Sequence, residues 1–251
     1  MNIDLTAAIP LYNSSPIFWL ALESLCRQNT QYTWELVVCE DPSTNFCGEE
    51  YIKPYLSRLK SAGCINFKYL PLNHWIHLGE KWKYIAKNSN GENFMLVAAD
   101  DYCSPNRIQR SCNLLNNNNL LWLDSRQVLY YNLLTAQEMH LTVPMPYSGV
   151  FMCTKTNLVQ GITDKGPKEG VDNWLRTKLN INNNNRVSVE PYFLGFNTDG
   201  KNNISMKRRA RYNTRQNTPG CIWSNAKYNI RNVLDKELYK KISLLKKSTN
   251  T

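Results

Sequence analysis

The stretch Phe94-Met95-Leu96-Val97-Ala98-Ala99-Asp100-Asp101-Tyr102-Cys103-Ser104-Pro105 decides how the chain reads. An apolar run climbs into two adjacent carboxylates and ends at a proline-bounded turn. The turn-forming Asn88-Ser89-Asn90-Gly91 precedes it, which suits a central parallel strand, because such strands are covered on both faces and need not alternate. In open α/β sheets ligands gather at the carboxyl ends of strands, so Asp100 and Asp101 fall where a ligand should sit. Two ionised aspartates side by side repel each other, and a hard divalent cation between them relieves that repulsion. A solvated Asp-Asp turn is the alternative, and the local pattern alone leaves both open.

Working outward, Ile3 to Pro10 reads as a first strand ending in the turn Pro10-Leu11-Tyr12-Asn13-Ser14-Ser15. A helix should follow, capped by Ser14 or Ser15, with Pro16 in its first turn and Phe18, Leu20, Leu22, Leu25 and Cys26 on its apolar face. Trp34 to Cys39 is a second strand that runs into Glu40-Asp41-Pro42-Ser43-Thr44, so carboxylates again stand at a strand end. A helix from Glu49 to Ala62, a strand from Ile65 to Leu70 and a basic helix from Gly79 to Lys87 complete an alternation that predicts an open, mostly parallel α/β sheet flanked by helices. Neither G-x-G-x-x-G after the first strand nor a P-loop is present.

Beyond Pro105 the pattern is mixed. Ile108 to Leu115 reads as a short helix; Leu120 to Leu123, Gln127 to Leu133 and Met139 to Val143 read as strands, the last two as a hairpin around Thr135-Ala136-Gln137. Gly149 to Cys153 is a further short strand, Glu169 to Leu179 a helix with acids at its start, and Val187 to Phe193 a last strand. The apolar series Ile222, Ala226, Ile230, Val233, Leu234, Leu238, Ile242 and Leu245, with lysines between, predicts amphipathic helices that pack on a core, a partner or a membrane surface.

The 251 residues suffice for one sizeable domain with an appendage, and 42% hydrophobic content agrees with a real core. No apolar run of about 18 residues exists and no basic-then-apolar leader opens the sequence, so the expectation is a cytoplasmic protein. Eight cysteines stand singly, without a C-x-x-C pair, which argues against zinc ribbons and disulfide scaffolds. His74, His77 and His140 are too scattered for a metal site. The formal charge of +10 is concentrated late, in Lys207-Arg208-Arg209, Arg211, Arg215 and Lys236 to Lys247. That excess suits an anionic partner, and a solvated basic tail explains it equally well.

Four elements together resemble the GT-A-fold, nucleotide-sugar-dependent glycosyltransferases, especially family 2, over about Leu5 to Phe196. They are Ala8-Ile9-Pro10-Leu11-Tyr12-Asn13; Val37-Val38-Cys39-Glu40-Asp41-Pro42-Ser43-Thr44 in place of V-D-D-G-S-T; Ala98-Ala99-Asp100-Asp101 with Pro105 in place of D-x-D-D-x-x-x-P; and Glu169-Gly170-Val171-Asp172-Asn173-Trp174-Leu175-Arg176 beside E-D-x-D-x-W-L-R. The resemblance implies a GT-A domain over about 1–212, a basic helical tail over 213–251, and a metal-dependent, inverting transfer from a nucleoside diphosphate sugar, UDP-linked as first expectation, to a glycan, glycoprotein or other hydroxyl acceptor.

It further implies that Pro10, Tyr12 and Asn13 line the nucleotide pocket and that Asp41, hydrated until the ligand arrives, accepts from the base or ribose. Lys81, Lys83 or Lys87 could reach the diphosphate, Lys81 being preferred, with an ordinary solvated helix lysine as the alternative for each. Asp100 falls on the family's Mn2+ or Mg2+ ligand, with Asp101 as a second ligand or sugar contact. Two departures stand out: Ala98 replaces the first aspartate of the metal motif, and Gly170 replaces the usual catalytic base. Asp172 and Glu169 are the nearest carboxylates able to take the acceptor's proton, Asp172 being preferred; its alternative role is to cap the helix carrying Trp174. Acceptor contacts are expected around Trp122, Asp124, Tyr147, Ser148, Gly149 and Trp174, the rings stacking on sugar unless they belong to the core.

Two other classes remain: a catalytically weak sugar-nucleotide or glycan-binding relative, suggested by Ala98 and Gly170, and a nucleic-acid-binding protein, suggested by Lys207 to Arg215, although no specific nucleic acid is expected. The tail suits peripheral membrane contact. The runs Asn116 to Asn119 and Asn182 to Asn185 suggest an A+T-rich genome such as that of a large DNA virus, which would make the compartment a host cytoplasm; a coding sequence of ordinary base composition would remove that idea.

Overall fold

In a computed structural model of the chain, residues 2–12, 18–43, 46–117, 120–132, 138–147, 153–168, 170–189, 193–197, 221–222, 234 and 236–248 are described. The opening apolar run forms the end of β4 (Gly91–Leu96), at the middle of an extensive sheet. On one side it pairs in parallel with β1 (Ile3–Leu11), which pairs in parallel with β2 (Trp34–Glu40), which in turn pairs with β3 (Cys64–Pro71). On its other side it meets β8 (Cys153–Lys155) antiparallel, and there the sheet turns mixed. β6 (Trp122–Asn132) pairs antiparallel with β8 and with β7 (Glu138–Tyr147), and in parallel with β9 (Arg186–Val189) and β10 (Phe193–Asn197). The short β5 (Asp101–Cys103) pairs with β10, and β11 (Cys221–Ile222) joins the edge at β7.

Every residue of β2 is buried, as a strand covered on both faces requires. Leu36 and Val38 enter one core cluster with Phe18, Leu22 and Leu25 of α1 (Phe18–Leu25), Leu59 of α2 (Leu56–Ser61) and Ile108, Cys112 and Leu115 of α4 (Arg107–Asn117). Val37 and Cys39 enter another with Trp82, Ile85 and Ala86 of α3 (Leu78–Lys87), Val159 of α5 (Thr156–Gln160) and Leu175 of α6 (Val171–Lys178). The period-two alternation of the strands therefore sorts the helices into two layers, one on each face of the sheet.

Two glutamates are buried within β2, and each is matched by donors. Glu35 accepts from the Thr6 hydroxyl at 2.7 Å, the Gly91 amide at 3.1 Å and the Asn66 side chain at 2.9 Å. Glu40 accepts from the Cys47 and Gly48 amides at 2.9 and 3.1 Å and from the Tyr69 hydroxyl at 2.7 Å. Gly91 starts β4 for a steric reason: a Cβ there would lie 2.4 Å from the Thr6 nitrogen.

The expected helix over Glu49 to Ala62 is instead two 3-10 turns (Glu49–Tyr51 and Lys53–Tyr55) followed by α2. Pro54 lacks an N–H and its ring crowds the preceding turn, so a continuous α-helix cannot pass through it. The expected last strand divides into β9 and β10, which pair with successive stretches of β6. The hairpin of β6 and β7 forms, while its turn at 135–137, the cap region Ser14 to Pro16 and the basic cluster 207–215 lie outside the described residues. The described C-terminal helix is Lys236–Ser248; Leu234, Leu238 and Ile242, four residues apart, are buried, and the Lys241 ammonium lies 6.0 Å from the Trp19 ring centroid. Among the described residues no helix is long and apolar enough to cross a membrane.

Candidate active site

The carboxyl ends of β1, β2 and β4 lie side by side, and three of the expected site groups gather there. The Asp41 amide donates to the Leu11 carbonyl at 3.1 Å, closing the ends of β1 and β2 against each other. Lys81 of α3 reaches the same place. Its ammonium donates to the Leu11 carbonyl at 2.9 Å and forms an ion pair with the Asp41 carboxylate, whose other oxygen accepts from the Ile76 amide at 3.4 Å.

Asp41 is 1% exposed and Lys81 2%, which corrects two expectations. Asp41 is not a hydrated strand-end carboxylate but a desolvated, paired one, and Lys81 points to Asp41 rather than into open solvent. Burying either charge alone is costly, so each holds the other in place. Tyr12 is 57% exposed above them, with the Lys81 ammonium 6.0 Å from its ring centroid. Pro10 is half-buried on β1, opposite Cys39 of β2, and Asn13 lies outside the described residues. Burial pushes the Cys39 thiol up to about 12 despite the nearby Lys81, so it lines the floor as an apolar group.

β4 ends at Leu96, and the chain turns through Ala98 and Ala99 to Asp100 and Asp101. The Asp101 amide donates to the Ala98 carbonyl at 3.3 Å. Asp100 is half-buried at the crest of this turn and Asp101 is buried at the head of β5. These are hard oxygen donors, and a divalent ion that keeps water and phosphate oxygens in its shell needs only one or two of them, so the residues fit Mn2+ or Mg2+ with Asp100 as ligand. Among the described residues no group of three or more His, Cys, Asp or Glu is assembled for a metal held by protein alone.

A residue that sequence reasoning missed braces this turn. Arg107 is buried; one guanidinium nitrogen donates to the Leu96 carbonyl at 2.7 Å and another contacts the Cys103 sulfur at 2.9 Å, one residue on each side of the turn. A cation in the first turn of a helix opposes the helix dipole, and that mismatch is the signal by which Arg107 stood to be found. Gln28 reinforces it by donating to the Ser104 carbonyl at 2.8 Å and accepting from the Ile108 amide at 3.1 Å.

Asp172 sits in the first turn of α6, half-buried, between the buried Val171 and the exposed Asn173. It is not the cap: that position is Gly170, in the left-handed region at φ 65° and ψ 30°. Among the described residues, a Cβ on Gly170 would meet nothing within 4 Å. Glu169 lies outside the described residues, as do Ser148 and Gly149. The strand carrying Tyr147 is described.

Two of the remaining acceptor expectations, Trp122 and Asp124, need correction. Trp122 is 0% exposed and packs in the core cluster of α3 and α6, so its ring has no face to offer a sugar. Asp124, also 0% exposed, has an oxygen 3.9 Å from the Arg186 guanidinium. Trp174 is half-buried against the same cluster. A large aromatic in a β-rich stretch satisfies core and ligand patterns alike, and here burial chose the core.

A mixed sheet between helical layers, with acids and a cation at the carboxyl ends of its parallel strands, is the architecture of the GT-A glycosyltransferases. The chain belongs to glycosyl transferase family 2, whose family model matches residues 6–229. A search of curated protein sequences finds no match. Among solved structures, TarS of S. aureus is similar at 18% identity with a TM-score of 0.59, over 78% of this chain and 37% of TarS. TarS 1-349 in complex with UDP-GlcNAc gives 16% and 0.58, over 79% and 60%. The mannosyltransferase PcManGT from Pyrobaculum calidifontis, in complex with GDP-Man and Mn2+, gives 12% and 0.58, over 84% and 61%. This chain thus spans 37% to 61% of these neighbours' lengths, less than two thirds of each, and the likeness establishes the shared fold.

Proposed function

We propose that the protein is an inverting, divalent-metal-dependent glycosyltransferase that moves a hexosyl or pentosyl unit from a nucleoside diphosphate sugar, UDP-linked first, to a hydroxyl acceptor. The observation that carries this reading is the buried Asp41–Lys81 pair at the end of β2 together with the Asp100 turn after β4, the two strands that flank β1 in parallel. Tyr12, exposed beside the Asp41 pair, supplies a ring for the base to stack on. Asp41 offers carboxylate lone pairs to an imide N–H or a ribose hydroxyl, held in orientation by Lys81 and the Ile76 amide.

Asp100, with Asp101 beside it, would hold Mn2+ or Mg2+, which when bound supplies stabilisation of charge on the leaving diphosphate without proton transfer. Arg107 keeps the turn that carries both aspartates in one conformation. Asp172 takes the proton of the attacking hydroxyl on the face opposite the leaving group, as inversion requires. Glu169 is the second candidate. Trp174, Tyr147, Ser148 and Gly149 remain candidates for the acceptor side. The catalytic domain is taken as about 1–212, with 213–251 as a basic appendage suited to peripheral membrane contact, in a cytoplasmic setting.

The second reading, a sugar-nucleotide-binding relative with weak activity, is favoured by one observation: position 170, where the family's usual base would fall, is a glycine and carries no carboxylate. Calorimetric titration with UDP and with GDP, each with and without Mn2+, tests the donor site. The proposal expects UDP binding that Mn2+ strengthens and that Asp41→Asn weakens by at least about ten-fold. No binding of either nucleotide would refute it.

A further inference from the structure

Residues 163–168 form no helix or strand, yet they lead directly into α6 and its Asp172. What fixes them is a seam along α3 and the loop before it. Lys168 lies over the Trp75 ring, 6.0 Å from its centroid. The Gly79 amide donates to the Pro167 carbonyl at 3.1 Å. Glu80 accepts from the Gly166 amide, and the Lys83 ammonium donates to the Asp164 and Thr163 carbonyls at 2.5 and 3.5 Å. The partners run in opposite directions, 75 with 168, 79 with 167, 80 with 166 and 83 with 164, so the two segments lie antiparallel for their whole shared length.

The seam has no slack at its centre. A Cβ on Gly166 would lie 2.3 Å from the Gly79 carbonyl carbon, and one on Gly79 would lie 2.8 Å from the Gly166 Cα. Backbone meets backbone there, which only two glycines allow. The same stretch of chain that grips 163–168 also grips the donor side, through Lys81 to Asp41 and the Ile76 amide to Asp41. Lys81 stands between Glu80 and Lys83 in sequence, so its side chain leaves the helix in a different direction from the seam residues.

We propose that this seam sets Asp172 at its working distance from the donor, which makes Gly79, Glu80, Lys83 and Gly166 positioning residues for the transfer reaction. The proposal rests on the glycosyltransferase reading above. Donor contacts at Asp41 and the approach to Asp172 are both referred to one rigid turn of α3. A small misplacement of a reacting group costs rate while leaving ground-state donor binding intact.

The test uses the full chain with Mn2+ and the variants Gly166→Ala, Glu80→Gln, Lys83→Met and Lys83→Arg. The expected result is a fall in kcat of at least about ten-fold for Gly166→Ala and Lys83→Met, a smaller fall for Glu80→Gln, UDP affinity within about two-fold of wild type, and substantial rescue by Lys83→Arg. If Gly166→Ala does not fold, the Lys83 pair carries the test. Folded variants with unchanged kcat would overturn the proposal, and so would UDP affinity falling in step with kcat, because that is the mark of a general structural role. A second arm needs no turnover: saturating UDP should slow tryptic cleavage after Lys165 and Lys168 in the wild type and lose that effect in Lys83→Met. A wild type that binds UDP without such protection contradicts the coupling. A wild type that neither binds UDP nor turns over sinks the glycosyltransferase reading, and the seam's role with it.

Discussion

The Lys81 ammonium is paired with the Asp41 carboxylate in a setting from which water is almost wholly excluded, and the same ammonium donates to the Leu11 carbonyl at 2.9 Å. One side chain of α3 thereby joins the ends of the first two parallel strands. The proposed nucleotide pocket and the packing of α3 are, in this respect, one structure.

Removing one member of that pair should therefore cost stability as well as binding. Lys81→Met leaves a buried carboxylate unpaired, at about 3–5 kcal/mol. A fall in melting temperature on the order of 10 °C is expected for a chain of this size. Asp41→Asn/Lys81→Met should recover much of that loss while leaving UDP binding impaired. A double variant no more stable than Lys81→Met would show that the pair is not the source of the penalty.

Asp100→Ala should behave in the opposite manner. The side chain is only half-buried on a turn, so melting should change by no more than about 2 °C, as at an ordinary surface position. Metal-dependent turnover should fall by roughly 100-fold or more, since one charge-stabilising group is lost. Parallel melting curves and rate measurements with Mn2+ check both halves.

Gly170→Asp places a carboxylate where the family carries its base, and among the described residues nothing lies within 4 Å of a Cβ there. The left-handed backbone at φ 65° costs a side chain about 1 kcal/mol, so a melting temperature lower by roughly 2–4 °C is expected. With Asp172 serving as base, kcat should not rise. A rise of about ten-fold or more would transfer that role to position 170.

Glu23 provides a test of acid stability remote from the site. The Arg58 guanidinium, bonded at 2.7 and 2.8 Å, opposes the upward push of burial and, with Arg27, holds the carboxyl at about 2, against an ordinary 4.5. The folded pKa lies below the unfolded one, so this contribution is complete above pH 4.5 and is lost as pH falls toward 2. Glu23→Gln should lower the melting temperature at neutral pH and flatten its decline across that window. An unchanged slope would mean the α1–α2 tie contributes nothing to acid unfolding.

Much of the fold was legible because its signals are local. The β1 to β4 strands announce themselves as apolar runs ending in turn residues, and the helix between β3 and β4 by its spacing. The candidate site was legible only where carboxylates stand at strand ends, at Asp41 and Asp100. The rest depends on contacts between distant residues: nothing in the composition of α3 shows that Lys81 reaches back to Asp41 whereas Lys83 reaches forward to Asp164. Trp122 was misplaced on the acceptor side because an indole in an apolar stretch gives the same pattern whether it packs or binds. Residues 163–168 carry no periodicity at all, so their grip on α3 had no trace in the sequence.

The central claim is that Asp41, Lys81 and Asp100 belong to the donor site of a working transferase. The measurement that tests it most directly is release of nucleoside diphosphate from a panel of UDP- and GDP-sugars, with and without Mn2+, for the wild type and for Asp172→Asn. The account predicts metal-dependent release from at least one donor, abolished by Asp172→Asn with donor binding retained. Donor binding without release from any sugar, at every metal concentration, would contradict it.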